Sequence, residues 1–206
     1  MSYNDHNKTT IKAYEAGLDT YIAAEIHQTT GSVKEWLDFS LSLLPANAYV
    51  LELGSADGRD AQYMEDAGFK VDRTDVASSF VEFMKSKGKN ARLLDALTDD
   101  FPVHADMIYA NAVLLHFDDT QTKQVLHKVH KCLSPNGYFA FSVKIGEGES
   151  WSESKLGMPR FFNYWSAEKL KEVLRSSGFK IVYFELGNTG HDNGEWFHVT
   201  VRPLQK

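Results

Sequence analysis

The sequence of 206 residues contains a single cysteine, Cys132, which excludes an internal disulfide framework and suits a reducing compartment. No apolar run approaches the ~20 residues that a membrane-spanning helix needs. The first ten residues, MSYNDHNKTT, are polar and lack the apolar core of a signal peptide. We therefore expect a cytoplasmic protein that does not enter a membrane.

Clustered positive charge is also missing. The formal net charge is −6, and no block of lysine and arginine occurs anywhere in the chain. Because affinity for a nucleic-acid backbone comes mainly from clustered cations, we do not expect a nucleic-acid partner. The composition favours a small-molecule partner, and we expect a monomer or a homodimer.

The chain has no internal repeat, no low-complexity tract and no linker, and its length suits one domain spanning residues 1–206. Hydrophobic periodicity and boundary residues predict an alternation of helices and strands. The predicted helices cover 8–28, 33–44, 58–67, 78–87, 120–132 and 166–176. The predicted strands cover 48–53, 69–74, 91–95, 106–111, 137–144, 179–186 and 195–202.

This order of elements predicts an α/β fold with a doubly wound, mostly parallel sheet of seven strands. Strands such as AYVLEL and DMIYA are short continuous apolar runs, typical of strands covered on both faces. The last two strands are separated only by the polar stretch 187–194, so they are expected to form an antiparallel pair at a sheet edge. We interpret 1–44 as an N-terminal helical cap and 146–165 as an acceptor-side loop, in which 146–157 is expected to be a mobile polar lid.

The segment after the first strand is the strongest indication of a ligand. Glu52 lies at the end of an apolar run, and after Leu53 comes GSADGRD, at the place where doubly wound sheets bind ligands. A dinucleotide fingerprint would need glycines at 54, 56 and 59, but Ala56 and Arg59 break it. A P-loop is excluded because no Gly-Lys-Ser/Thr follows. An acid followed by G-x-A-x-G remains.

That pattern resembles motif I of the class I S-adenosylmethionine-dependent methyltransferases, D/E-x-G-x-G-x-G. Four further stretches resemble later motifs of this family in order and spacing: KVDRTDVA, LLDALTDDF, ADMIYANAVLLHF and LSPNGYFAFSVK. The resemblance covers most of the chain. It implies a Rossmann-like methyltransferase fold, S-adenosylmethionine as cofactor and S-adenosylhomocysteine as product.

The resemblance also implies which residues contact the cofactor. Asp75 would accept hydrogen bonds from the ribose hydroxyls, Asp95 and Ala96 would bind the adenine edge, and Asn111 would bind through its side chain or backbone. The full expected set is Tyr21, Glu52, Gly54, Ser55, Ala56, Gly58, Arg59, Asp75, Val76, Asp95, Ala96, Leu97 and Asn111.

Within the loop, small residues let the backbone approach the methionine part of the cofactor. Adjacent N–H groups and the helix start at Gly58 would meet its carboxylate. Ala56 replaces the usual middle glycine and is expected to require a negative φ. For Arg59 two interpretations are open: it approaches the cofactor carboxylate, or it forms a solvated pair with Asp60.

On the acceptor side the resemblance implies that Tyr21 touches the cofactor and Tyr14 the acceptor, since an aromatic face suits a sulfonium cation. His116 would remove a proton from the acceptor, because the pKa of histidine suits neutral pH. The remaining acceptor contacts are expected from Arg160, Tyr164 and Trp165. For all of these residues simple packing is the alternative interpretation.

No metal site is expected. His191 and His198 lie near Asp192 and Glu195, but their spacing fits no zinc pattern, so we interpret them as solvated polar residues. Cys132 is interpreted as a buried small hydrophobe.

Three functions are compatible with these motifs. The first is transfer of a methyl group to O, N or S of a small molecule. The second is methylation of a protein or RNA, although A-N-A-V after the fourth strand, in place of an N-P-P-Y motif, argues against bases. The third is cofactor binding without turnover.

Overall fold

The computed structural model describes residues 5–25, 27–187 and 195–204. Its helices are α1 (Asp5–Ala16), α2 (Leu18–Ala24), α3 (Gly31–Ser42), α4 (Arg59–Asp66), α5 (Ser78–Ser86), α6 (Asp119–Cys132) and α7 (Ala167–Ser176), with a 3₁₀ turn at Leu114–His116. Its strands are β1 (Tyr49–Leu53), β2 (Lys70–Asp75), β3 (Ala91–Leu93), β4 (Ala105–Ala110), β5 (Leu133–Lys144), β6 (Glu149–Ser152), β7 (Arg160–Asn163), β8 (Phe179–Gly187) and β9 (Trp196–Pro203).

Seven strands form one sheet in the order β3-β2-β1-β4-β5-β9-β8. The first five strands are parallel to one another, whereas β9 runs antiparallel to both β5 and β8. This arrangement confirms the predicted doubly wound sheet with an antiparallel pair at its edge.

Apolar strands place side chains into two cores, one on each face of the sheet. Val50 and Met107 pack with Trp36 of α3 on one face. Leu51 and Ile108, one residue further along each strand, pack with residues of α6 on the other. Because successive strand residues point to opposite faces, a strand covered on both sides must be apolar throughout.

The helix predicted over 8–28 is two helices, broken at Gly17. The Gly17 N–H donates to Ala13 O at 3.0 Å, and a Cβ at position 17 would lie only 2.8 Å from that same oxygen. Glycine is also a poor residue for a helix interior. After the break α2 is a separate helix, and Leu156 lies 3.2 Å from the position that a Cβ of residue 17 would occupy.

The interpretation of 146–165 as a loop is wrong for part of its length, because two strands lie within it. β6 and β7 form a two-stranded antiparallel sheet in which Trp151 faces Phe161. All four residues of β7 are buried, because this strand packs against α1. Because serine and glutamate dominate β6 and its flanks (GEGESWSES), the sequence shows no clear alternation of apolar and polar residues that would predict a strand.

No helix in the described residues is long and apolar enough to cross a membrane.

Candidate functional site

A cavity of about 670 Å³ lies beyond the carboxyl ends of the parallel strands, between them and the N-terminal helices. Its volume is in the range of small-molecule sites, roughly 300–1,000 Å³. It is lined by most of the predicted site residues: Tyr14, Tyr21, Glu52, Gly54, Ser55, Ala56, Arg59, Asp75, Val76, Asp95, Ala96, Leu97, Asn111, His116, Arg160 and Tyr164. Gly58 and Trp165 are not among its lining residues.

The loop after β1 turns through left-handed backbone conformations. Gly54 has φ of 67° and Gly58 of 82°, as glycine allows. Ala56 has φ of 50°, so the expectation of a negative φ is wrong. Its N–H donates to Asp75 Oδ2 at 3.0 Å, and this bond helps to hold an L-residue in a conformation that is otherwise disfavoured.

Backbone donors of this loop are used within the protein. Ser55 N donates to Thr74 O and Gly58 N to Ser55 O, each at 2.8 Å. Gly58 lies at the start of α4, and a Cβ there would meet Met84 and Arg73 behind the loop. The Gly58 N–H is therefore engaged within the loop, and the expectation that adjacent N–H groups and the helix start meet a cofactor carboxylate stays a prediction.

Asp75 ends β2 and holds the loop while facing the cavity. Its Oδ1 accepts from Ala77 N at 2.9 Å, and its Oδ2 accepts from Ala56 N. Each oxygen keeps a further acceptor site. Burial raises the pKa of this carboxyl to about 6, although the N–H donors act in the opposite direction.

A buried polar group surrounds Asp60 at the start of α4. Asp60 Oδ1 accepts from Thr29 Oγ1 at 2.8 Å and from Arg59 Nε at 2.9 Å. Asp60 Oδ2 accepts from Tyr109 Oη and from Asn111 Nδ2, each at 2.9 Å. The interpretation of Arg59 and Asp60 as a solvated pair is wrong, since both side chains are largely buried.

This group also engages two predicted cofactor contacts. The amide oxygen of Asn111 accepts from Ser142 Oγ at 2.7 Å, so both ends of that side chain already have protein partners. Arg59 also pairs with Glu25 at 3.5 Å. The buried role of Asp60 was missed because an acid in the first turn of a helix resembles an ordinary exposed residue.

Glu52 is 2% exposed, and its Oε2 has no hydrogen-bond partner among the described residues. Burial raises the pKa of Glu52 to about 8, and the charge of Asp60 adds to the increase. An acid that is this short of partners is suited to receive a cationic or donating group from a ligand.

The segment after β3 is held by side chains of α6. Lys128 Nζ donates to Ala96 O at 2.8 Å and Gln124 Nε2 to Leu97 O at 3.0 Å. Asp95 Oδ1 accepts from Leu97 N at 2.8 Å. The three predicted residues of this segment therefore form one fixed wall of the cavity.

At the other end of the cavity Tyr14, His116 and Arg160 are connected. His116 Nδ1 lies 2.7 Å from Phe161 O, which can only accept, so Nδ1 carries the proton. His116 Nε2 then accepts from Tyr14 Oη at 2.9 Å, and Arg160 Nη1 donates to the same hydroxyl at 3.2 Å.

His116 is a weaker base than its residue type predicts. Burial lowers the pKa of His116 to about 4, and the positive charges of Arg160 and Lys144 act in the same direction. The expectation of a pKa suited to neutral pH is therefore wrong for this structure. Burial also raises the pKa of the Tyr14 hydroxyl, which stays protonated at neutral pH.

Tyr14 and Tyr21 lie on separate helices, yet their rings meet edge to face at 6.0 Å between centroids. Both rings also contact Phe80 of α5. The ammonium of Lys155 lies 3.9 Å from the centroid of the Tyr21 ring.

The aromatic cluster before α7 is divided between the cavity and the core. Tyr164 faces the cavity and accepts from Ser150 Oγ at 3.2 Å. Trp165 is fully buried in the core on the α6 face of the sheet, so the expectation that it lines the acceptor side is wrong. Tyr164 and Trp165 are neighbours in the extended segment that follows β7, so their side chains point to opposite sides. The sequence did not show which of the two faces the cavity.

Sequence reasoning missed several residues that line the cavity. Lys144 ends β5, Trp196 begins β9 and Phe162 lies in β7. The position of Lys144 at a strand's carboxyl end was a usable signal. No pattern in the sequence indicated Glu25 and Lys155, which pair with each other across the cavity rim.

The histidines near the C-terminus differ from expectation. His198 is 1% exposed and stacks on Trp36 at 4.9 Å between centroids, so its interpretation as solvated is wrong. His191 and Asp192 lie outside the described residues, whereas Glu195 is exposed. Cys132 is buried, which confirms its interpretation. No group of three or more potential metal ligands occurs in the ranges that the structure describes.

The sheet order, the loop after β1 and the cavity beyond the strand ends together define a Rossmann-like methyltransferase fold. Residues 26–183 match a family described as a methyltransferase domain. This match spans more than half of the sequence, so the chain belongs to the methyltransferase domain family, which confirms the resemblance drawn from the motifs. No curated protein matches the chain.

Solved structures share the fold at low identity. The Burkholderia thailandensis 1,6-didemethyltoxoflavin-N1-methyltransferase, with bound 1,6-didemethyltoxoflavin and S-adenosylhomocysteine, is 19% identical with a TM-score of 0.74, covering 100% of this chain and 92% of that one. The CcbJ methyltransferase from Streptomyces caelestis is 14% identical with a TM-score of 0.74, covering 98% and 100%. The glycopeptide N-methyltransferase MtfA complexed with S-adenosylmethionine is 14% identical with a TM-score of 0.66, covering 83% and 93%.

Proposed function

We propose that this chain transfers a methyl group from S-adenosylmethionine to an O, N or S atom of a small molecule. One observation carries the proposal. A single cavity has the expected cofactor residues at one end and the connected side chains of Tyr14, His116 and Arg160 at the other.

The residues at the first end fit the cofactor. Among the described residues the buried Oε2 of Glu52 lacks a partner, and Asp75 lines the cavity. The methionine part carries an ammonium that can donate to the carboxyl of Glu52, and a ribose offers hydroxyl donors to Asp75. When bound, S-adenosylmethionine supplies a methyl group on a positively charged sulfur and leaves S-adenosylhomocysteine.

A small acceptor is supported by the enclosure of the second end. Helix α1 packs on β7 and α5 and lies across the cavity. Arg160, Phe162 and Trp196 of the walls are buried. The named acceptor of the Burkholderia enzyme, which shares this fold over the whole chain, is also a small molecule.

His116 and Tyr14 would manage the acceptor's proton. The lone pair of His116 Nε2 points at the Tyr14 hydroxyl, so a proton leaving an acceptor at this place has a path to the imidazole. Because the pKa of His116 is about 4, proton removal contributes little at neutral pH before the acceptor binds. Positioning is the main contribution, with effective molarities of roughly 10⁵–10⁸ M for well-oriented groups.

Calorimetry with S-adenosylhomocysteine tests the cofactor part. We expect the wild type to bind and Asp75→Ala to lose at least about tenfold in affinity, since a charge-assisted hydrogen bond is removed. Asp66→Ala is the matched control, because Asp66 is exposed and its side chain accepts from Gln62 on the surface of α4, away from the cavity lining. No binding to the wild type would reject the proposal.

Incubation with methyl-labelled S-adenosylmethionine tests the acceptor part. Three fractions of one cell extract are compared: small molecules, protein and RNA. We expect label in the small-molecule fraction only. Label in protein or RNA would establish a macromolecular target, and cofactor binding without label in any fraction would favour a non-catalytic binding protein.

A further inference from the structure

Arg160, at the acceptor end of the cavity, carries a positive charge for which the described residues provide no carboxylate partner. Given the proposed function, on which this step rests, we infer that the acceptor carries an oxyanion such as a carboxylate, and that Arg160 binds it.

Among the described residues, Arg160 is buried without a counter-charge. Arg160 is 5% exposed, and its Nε has no hydrogen-bond partner in that part of the chain. Its one hydrogen bond within the described residues joins Nη1 to the neutral hydroxyl of Tyr14. No carboxylate of the described residues lies within ion-pair distance of the guanidinium, although burying an unpaired cation is costly.

The fold holds this guanidinium in place. Arg160 begins β7 and is paired with Ser152 of β6. The next residue, Phe161, donates its N–H to Thr10 Oγ1 of α1 at 3.0 Å. The guanidinium carbon lies 5.2 Å from the ring centroid of Phe162 and 5.5 Å from that of Tyr14. These ring faces offset part of the cost of burial but leave the bidentate edge of the guanidinium for an anion.

A second cation lies beside the same ring. Lys144 Nζ is 5.4 Å from the centroid of Phe162 and 5.3 Å from that of Trp196, and its side chain also lines the cavity. Lys144 therefore adds a second positive charge, beside aromatic side chains, at the end of the cavity where Arg160 lies. This combination suits a compact acid with an apolar or aromatic body.

Arg59 and Lys155, which also line the cavity, have carboxylate partners. Arg59 pairs with Asp60 and Glu25, and Lys155 pairs with Glu25. These pairs lie with the acids of the cofactor end. Arg160 differs from both, and this difference points to the acceptor as its counter-charge.

An anion at Arg160 would also place the acceptor beside the reacting groups. Arg160 Nη1 and His116 Nε2 both bond to the Tyr14 hydroxyl, so the guanidinium and the imidazole are separated by one side-chain oxygen. An acceptor held by its oxyanion would present its remaining atoms toward Tyr14 and His116. Arg160 is in this respect a positioning residue as well as a binding one.

Benzoate and benzamide are the probes for this site, because they share size and ring and differ in charge. Each is titrated calorimetrically into the full chain saturated with S-adenosylhomocysteine. We expect benzoate to bind the wild type at least about tenfold more tightly than benzamide. In Arg160→Gln this preference should disappear, with S-adenosylhomocysteine affinity unchanged. Arg175→Gln is the matched control, since Arg175 lies on the surface, and it should keep the preference.

Equal affinities for the two probes, no benzoate binding by the wild type, or an undiminished preference in Arg160→Gln would each overturn the inference. Binding of S-adenosylhomocysteine separates these results from failure of the proposed function, which predicts that binding independently. If Arg160→Gln does not fold, Lys144→Met provides the second test, and we expect it to lower the preference for benzoate at least threefold.

Discussion

Asp75 serves two purposes with one carboxylate. It fixes the left-handed conformation at Ala56 through a hydrogen bond, and it lines the cavity where the ribose is proposed to bind. Burial raises its pKa to about 6, so in the free protein the carboxyl is half protonated near that pH. A protonated carboxyl has lost part of its acceptor capacity.

We predict that the affinity for S-adenosylhomocysteine falls about tenfold between pH 7 and pH 5. Ribose hydroxyls donate to the ionised carboxylate. Below pH 6 most Asp75 carboxyls are protonated in the free protein, so binding must first release that proton. The affinity therefore falls as the pH is lowered, approaching tenfold for each pH unit. Calorimetry from pH 5 to 7 measures this, a range in which Glu52, with a pKa of about 8, stays mostly protonated. Asp75→Asn should bind more weakly and show no such dependence.

The stability of the free protein should change in the opposite direction. The folded-state pKa of Asp75 lies above its ordinary value of 3.8. The contribution of Asp75 to stability is therefore fully present below about pH 4 and is lost as the pH rises to about 6. Denaturant titrations of wild type and Asp75→Asn over this window would show it as a difference that grows with pH. A constant difference would contradict the raised pKa.

At the scale of single residues, the sequence predicted positions better than properties. The resemblance to methyltransferase motifs indicated Asp75 and Asp95, and both line the cavity at the carboxyl edge of the parallel strands. The φ of Ala56, the burial of Trp165 and the low pKa of His116 were predicted wrongly. Each depends on tertiary surroundings. The φ of Ala56 depends on the Asp75 carboxylate, and the burial of Trp165 depends on the core it joins. The pKa of His116 depends first on burial and then on the charges of Arg160 and Lys144.

At the scale of elements, Glu25 connects three parts of the cavity wall. It follows α2 directly, and its largely buried carboxylate pairs with Arg59 of α4 and with Lys155 between β6 and β7. The N-terminal helices are thus joined by charge to the two segments they face.

We predict that Glu25→Gln loosens this connection. Both ion pairs become weaker hydrogen bonds, and a loss of about 1–2 kcal/mol of stability is expected from removing charge-assisted bonds in a partly buried place. Hydrogen exchange should increase in α1 and α2 but not in β1 or β4. Faster release of S-adenosylhomocysteine is expected in stopped-flow measurements.

Glu153→Gln is the control for this change, since Glu153 is exposed in the same rim segment as Lys155. It should leave exchange and release unchanged. Equal effects of the two variants would show that net charge, and not the connection through Glu25, is responsible.

Elements were predictable where their hydrophobic pattern was strong. β1 and β4 followed from continuous apolar runs, and α7 from its start at Ser166, whose hydroxyl accepts from Lys169 N. The break at Gly17 was not recognised, because a single glycine does not by itself end a helical pattern. The pairing of β6 with β7 depends on contact with α1, which lies far away in sequence.

At the scale of the molecule, the cavity places acidic and basic side chains toward different ends. Asp75 and the mostly protonated Glu52 lie toward the cofactor end, whereas Lys144 and Arg160 lie toward the acceptor end. A cofactor that donates hydrogen bonds through its ammonium and ribose and an acceptor that carries an oxyanion would each meet complementary groups, which favours one orientation of the pair. This separation arises from topology, since β1 and β2 supply the acids while β5 and β7 supply the cations.

We predict that the chain unfolds as one cooperative unit spanning the cap and the sheet. The cavity is lined by α1 and α2 together with the strand ends, so a ligand within it stabilises both at once. At 100 times its dissociation constant, S-adenosylhomocysteine adds about 2.7 kcal/mol. This corresponds to a rise of about 5–11 °C in Tm for a chain of this size. Scanning calorimetry should show one transition that moves as a whole, and Asp75→Ala should show a much smaller rise at the same ligand concentration. Two transitions, of which only one moved with ligand, would instead identify the N-terminal helices as a separately folding part.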